Sequence, residues 1–191
     1  MNGKSYPVVV GVDGSFAAIR AAAVAEEFGA PLQILHLKPD RTSSDAIADP
    51  TAAEMAARRE SAEAIVQAAE QAVRAHFKGL HIACAQVVGS AGQALVESSR
   101  VARLIVLGTD ELSPGRAVLV GSTTMSVAAH STCPVVARRG GATSPTQRPI
   151  VVGVNHDHAS RVAITAAFEF AHRLGLGNHR CSCLDDAATG R

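Results

Sequence analysis

PVVVGVDGSFAAIRAA, residues 7–22, decides the fold. A continuous apolar run ends in Gly, Asp and Gly, and an alanine-rich segment follows at once. That order predicts a strand buried on both faces, a tight turn, and a helix over residues 15–28 with Ser15 as its N-cap. The same wording returns as PIVVGVNHDHASRVAI, residues 149–164, an offset of 142. The glycines that close the two helical patterns, Gly29 and Gly175, are offset by 146. The first helix is therefore four residues shorter, about one α-helical turn, so its buried face keeps its direction.

Between the copies, strand and helix signals alternate. LQILHL (32–37) is strand-like, RTSSDAIADPT (41–51) a loop, and residues 51–77 a long amphipathic helix with a solvated, charged face. Residues 80–88 form a third strand, GSAGQALVESSR a turn into a helix, and RLIVLG (103–108) a fourth strand. GSTTMSVAAHS reads as a helix and PVVARR (134–139) as a fifth strand. Alternation of this kind implies a doubly wound α/β fold with a five-stranded parallel sheet. Such sheets take ligands at the carboxyl ends of their strands, near the switch point, where Asp13 and the loop after Gly108 both fall. The organisation expected is a domain over 6–140, a linker over 141–148, and an incomplete βα unit over 149–176. A tail over 177–191 has no strand-like run and is expected to be disordered.

Composition agrees with that architecture. Of 191 residues, 47% are hydrophobic but only 3% aromatic, so Val, Ile, Leu and Ala must build the core, as parallel sheets require. A formal charge of +1 gives no reason to expect a nucleic-acid partner. No apolar run has membrane-spanning length and no leader pattern precedes the first strand, so no membrane partner and a cytoplasmic location are expected. Cys84, Cys133, Cys181 and Cys183 are too sparse for a disulfide framework and are read as thiols. Cys84 and Cys133 are expected to be small buried hydrophobes.

VVVGVDGS (8–15), ILHL (34–37), VVGSAGQALVE (87–97), LIVLGT (104–109), Gly121-Ser122 and HSTCPVVAR (130–138) stand in an order and spacing that resemble the universal stress protein family. The copy that starts at Pro149 resembles the opening of a second such domain, as in tandem members. The resemblance implies a non-catalytic stress-response protein that dimerises through its last strand, here 134–139, and binds ATP, with magnesium as an accompanying ion. It places Asp13 on the adenine, with Gly11 and Val12 beside it, and Leu37 against the base. Gly108, Gly121, Ser122 and Thr123 would hold ribose and phosphates. The family's phosphate loop has a middle glycine three residues after the first, and this chain has Glu111 there, with Asp110 beside it. Two carboxylates near a triphosphate repel it by ~1 kcal/mol each in water and ~4 kcal/mol at a protein surface. Shared magnesium would reverse that sign, and Gly115 and Arg116 offer another compensation. The alternative reading is a dimeric interaction protein whose loop has lost its nucleotide.

Other residues are read plainly. Asn155 and His156 replace the Asp and Gly of the first copy, so the second copy binds no nucleotide alone. His156, Asp157, His158, His179, Cys181 and Cys183 match no standard zinc spacing, and no metal site is assigned. His36 and His130 are expected to be satisfied, partly buried imidazoles. No nucleophile–base set or carboxylate pair suggests turnover, so no catalytic residue is assigned.

Overall fold

The computed structural model describes residues 5–12, 17–38, 52–108, 122–138, 150–154, 159–175 and 181–185. The chain divides into two units, Met1–Thr143 and Ser144–Arg191. In the first, strands β1 (Val8–Val12), β2 (Leu32–Lys38), β3 (Ile82–Val88), β4 (Leu104–Gly108) and β5 (Val135–Arg138) alternate with helices. These are α1 (Ala17–Glu27), α2 (Ala52–His76), α3 (Ala91–Ser98) and α4 (Ser122–His130). The five strands lie in the order β3-β2-β1-β4-β5, and every pairing is parallel. This is the doubly wound α/β sheet that the alternation of signals predicts.

The centre of the sheet is apolar on both faces. Val8, Val9 and Val10 of β1 are each 0% exposed. Val9 packs with Leu35, Leu95, Ile105, Leu107 and Val127, so α3 and α4 cover that face. Helices α1 and α2 cover the other, where Ala21, Ala22, Ala25 and Val73 are buried. Alanine is what lets α1 lie close to β1, and it explains how a core with so few aromatic residues fills its space.

Two local devices fix the ends of these helices. α1 closes on Gly29, whose φ is 56°. Gly29 N–H donates to Glu26 O at 2.9 Å and Ala30 N–H to Ala25 O at 2.9 Å, the paired bonds of a Schellman ending. At the far end of α3, the buried Ser99 hydroxyl donates to Val96 O at 2.6 Å and accepts from Thr132 N–H at 3.0 Å. That bond ties α3 to the segment leading into β5, where Thr132 Oγ1 also lies 3.2 Å from the Ser99 hydroxyl.

Three expectations need correction here. Cys84 is exposed, not buried, because β3 is an edge strand and its α2-facing side is only partly covered. Its thiol donates to Glu70 Oε2 at 3.6 Å, while Glu70 also binds Arg74 at 2.7 Å. Loss of solvent around the sulfur and the Glu70 carboxylate push the Cys84 thiol up to about 11. His130 is also exposed; its Nδ1–H donates to Ser126 O at 2.8 Å across the last turn of α4. Cys133 is half-buried and packs against the Val9 cluster, and burial raises its pKa.

The third correction concerns the second unit, where β6 (Ile150–Val154), α5 (Ala159–Arg173) and β7 (Cys181–Asp185) form a parallel two-stranded βαβ. CSCLD pairs with β6 although it lacks an apolar run, because an available strand partner outweighs intrinsic preference. The repeat is visible in the helices: α1 has 11 residues and α5 has 15, and Gly175 closes α5 at φ 63°. Coverage differs. Val152 is 5% exposed beneath α5, but Val151, the counterpart of Val9, is 55% exposed.

Gly29→Ala is expected to lower stability by ~1 kcal/mol, because its left-handed φ strains a side chain; Gly79→Ala, where φ is ordinary and no atom lies within 4 Å, is expected to be nearly neutral. Thermal melts of the two variants check this. Thiol alkylation of Cys84 should reach half its maximal rate only near pH 11, and Glu70→Gln should move that midpoint down by removing a charge that opposes the thiolate. A rate–pH profile with Cys133→Ser, Cys181→Ser and Cys183→Ser as background reads it directly.

Candidate functional site at the carboxyl ends of the strands

The site begins at a fork. Between β1 and β2 the ladder runs to the last residue of β1, Val12 opposite His36. Between β1 and β4 it stops at Val10 opposite Val106, two residues before either strand ends at Val12 and Gly108. β1 therefore stays with β2 and parts from β4 at the carboxyl edge. The helix that follows β1 covers one face and the helix that follows β4 the other, so this fork is the topological switch point.

Of the residues singled out in the sequence, Gly11 and Val12 line the β1 side of the fork and Gly108 the β4 side. Leu37 is the penultimate residue of β2, in register with Val87. Ser122 and Thr123 open α4, the helix that follows β4, and both are exposed. Their hydroxyls and the N–H groups of the first turn lie at the positive end of the helix dipole, where an anion is favoured. Asp13, Asp110, Glu111, Gly115, Arg116 and Gly121 lie outside the described residues, as do Ser15 and the histidines His156, His158 and His179. In the first turn of α1, Arg20 Nε is buried without a hydrogen-bond partner among the described residues, an arrangement an anionic group would relieve.

One residue that connects to the fork was read in the sequence only as a satisfied imidazole. His36, 8% exposed, donates from Nδ1–H to the Val12 carbonyl at 3.1 Å. The signal was a histidine, one of two polar residues with Gln33, inside the otherwise apolar strand LQILHL. A separate cleft of about 530 Å³ lies at the opposite end of the sheet, lined by Ala25, Glu26, Gly29, Pro31, Leu80 and His81. It collects the amino ends of β2 and β3, where among the described residues no strand carboxyl end or helix N-terminus converges. Among the described residues no group of three His, Cys, Asp or Glu side chains is placed to hold a metal, and no helix is long and apolar enough to cross a membrane.

Comparison with known proteins agrees with this geometry. The model of the universal stress protein family matches residues 6–139. A universal stress protein of Mycolicibacterium smegmatis is 28% identical over 180 residues, covering 90% of this chain and 61% of the relative. One from Mycobacterium tuberculosis is 32% identical over 154 residues, covering 76% of this chain and 54% of the relative. The chain thus spans only part of the length of these relatives. Among solved structures, a universal stress protein in complex with cAMP superposes with a TM-score of 0.53 at 27% identity, over 72% of this chain and 99% of that one. A universal stress protein from Archaeoglobus fulgidus superposes over 91% of this chain and 65% of its own, with a TM-score of 0.70 at 16% identity, a likeness of fold alone. With the family model covering the whole five-stranded sheet and the fork at its centre, the chain belongs to the universal stress protein family.

Proposed function

We propose that this chain is a non-catalytic stress-response protein that binds an adenine nucleotide, ATP in the first instance, at the β1–β4 fork. The observation that carries the reading is the early end of the β1–β4 ladder, with the exposed first turn of α4 as the next described element after β4. A fork of this kind leaves backbone groups unpaired at the place where a helix dipole favours anions. The solved relative that holds cAMP supports an adenine nucleotide as the ligand class. Asp13 follows Val12 directly in the chain and is assigned to the base, with Gly11, Val12 and Leu37 beside it. Gly108, Gly121, Ser122 and Thr123 are assigned to ribose and phosphates. Ligand binding at the fork would change how β1 and β4 are held together and so bias the conformation or assembly of the unit.

A second reading is a dimeric interaction protein that no longer binds nucleotide. It is favoured by Glu111 in place of the loop's middle glycine and by β5, whose outer edge has no strand partner among the described residues. An apolar sheet edge left open invites pairing with another copy.

Calorimetry with ATP, with and without magnesium, separates the readings. Binding that needs magnesium assigns Asp110 and Glu111 to a shared metal, binding without it means the loop tolerates the acids, and no binding at millimolar ATP favours the interaction protein. Asp13→Ala is expected to weaken ATP binding about tenfold or more, the cost of one charge-assisted hydrogen bond. Without magnesium, Glu111→Gly is expected to tighten it by roughly tenfold.

A further inference from the structure

His36 is buried, titratable and unused by the assignments above. We propose that it is a positioning residue for the base end of the fork, an inference that rests on the adenine-nucleotide reading. The Val12–His36 pair is the last rung between β1 and β2, and it lies beyond the point where β1 leaves β4. At this rung the side chain adds its own bond: imidazole Nδ1–H donates to the Val12 carbonyl at 3.1 Å. A carbonyl can only accept, so a neutral His36 carries its proton on Nδ1. The bond stands one residue before Asp13, on the side of β1 away from the opening. It holds the end of β1 against β2 beyond the last β1–β4 rung, and so fixes the residue from which the chain continues to Asp13.

The two copies make an internal comparison. Val154 corresponds to Val12 by the repeat, and the residue in register with Val154 is Asp185. An ionised carboxylate has no proton to donate to a carbonyl. The second copy therefore lacks this device at the strand end where it also has Asn155 in place of Asp13. Donor and base-reading acid are present together in the first unit and absent together in the second. A role confined to core filling gives no reason for that pairing.

Three full-length variants test the assignment: His36→Leu, which fills the space without a donor; His36→Asn, whose amide can restore one; and Gln33→Leu, a control on the same strand. Two readouts are taken, amide hydrogen exchange of the peptide over residues 8–16 and the ratio of AMP to GMP affinity. His36→Leu should speed exchange at that peptide about fivefold, leave peptides from α3 and β4 unchanged, and lower the AMP to GMP ratio by a similar factor; His36→Asn should recover much of both. Exchange that accelerates equally across all peptides with an unchanged affinity ratio would overturn the proposal in favour of a plain core role. Unchanged exchange and unchanged ratio would overturn it as well. If the wild-type protein binds neither nucleotide and no ATP, the function proposed above fails, and local exchange alone decides whether His36 holds the end of β1.

Discussion

Everything in the first unit depends on the need to bury β1 on both faces. Three consecutive valines with no exposed surface cannot belong to a sheet with one wet side. Each is worth ~1.5–3 kcal/mol only if covered, so the chain must cross over the sheet toward both faces. Helices α1 and α2 take one face and α3 and α4 the other. Once the crossovers leave β1 and β4 in opposite directions, the two strands have no common loop to hold their carboxyl ends together. The fork at Val12 and Gly108 is thus a by-product of solving the burial problem. Function occupies an opening that the core creates.

The fold was legible because its signals are long and repeated. VVVGV, LQILHL and RLIVLG are apolar runs of strand length with turn residues at their ends, and the Ala-rich segments between them have no other way to pack. The recurrence of residues 7–22 at 149–164 gave an independent check, and even the one-turn difference between α1 and α5 could be read from the spacing of two glycines. Misreadings fell where neighbours decide. Cys84 sits in a run that reads as core, but strand order puts β3 at the edge, and no local pattern encodes an edge. His130 caps an exposed last turn, and β7 exists only because β6 offers it a ladder.

The candidate site was legible to a smaller degree, for a physical reason. Gly11, Val12, Gly108, Ser122 and Thr123 could be placed at strand ends and a helix start from periodicity alone, and they lie there. What periodicity cannot express is where two parallel ladders stop. The difference between a β1–β2 pairing that reaches Val12 and a β1–β4 pairing that ends at Val10 is a property of three strands at once. The bond from His36 to Val12 is of the same kind, since it joins residues 24 apart whose register is known only after folding.

Val151 carries a consequence for how the protein holds its shape over time. Its counterpart Val9 is sealed, while Val151 keeps half its surface in water, so the βαβ of the second unit has one finished face. Cooperativity in a small domain comes from contacts that can only be lost together, and a sheet covered on one side has about half of them. The two copies therefore share a pattern of residues but not a stability. Local opening of the βαβ, as residues 150–185 describe it, thus breaks fewer apolar contacts than opening of the five-stranded sheet.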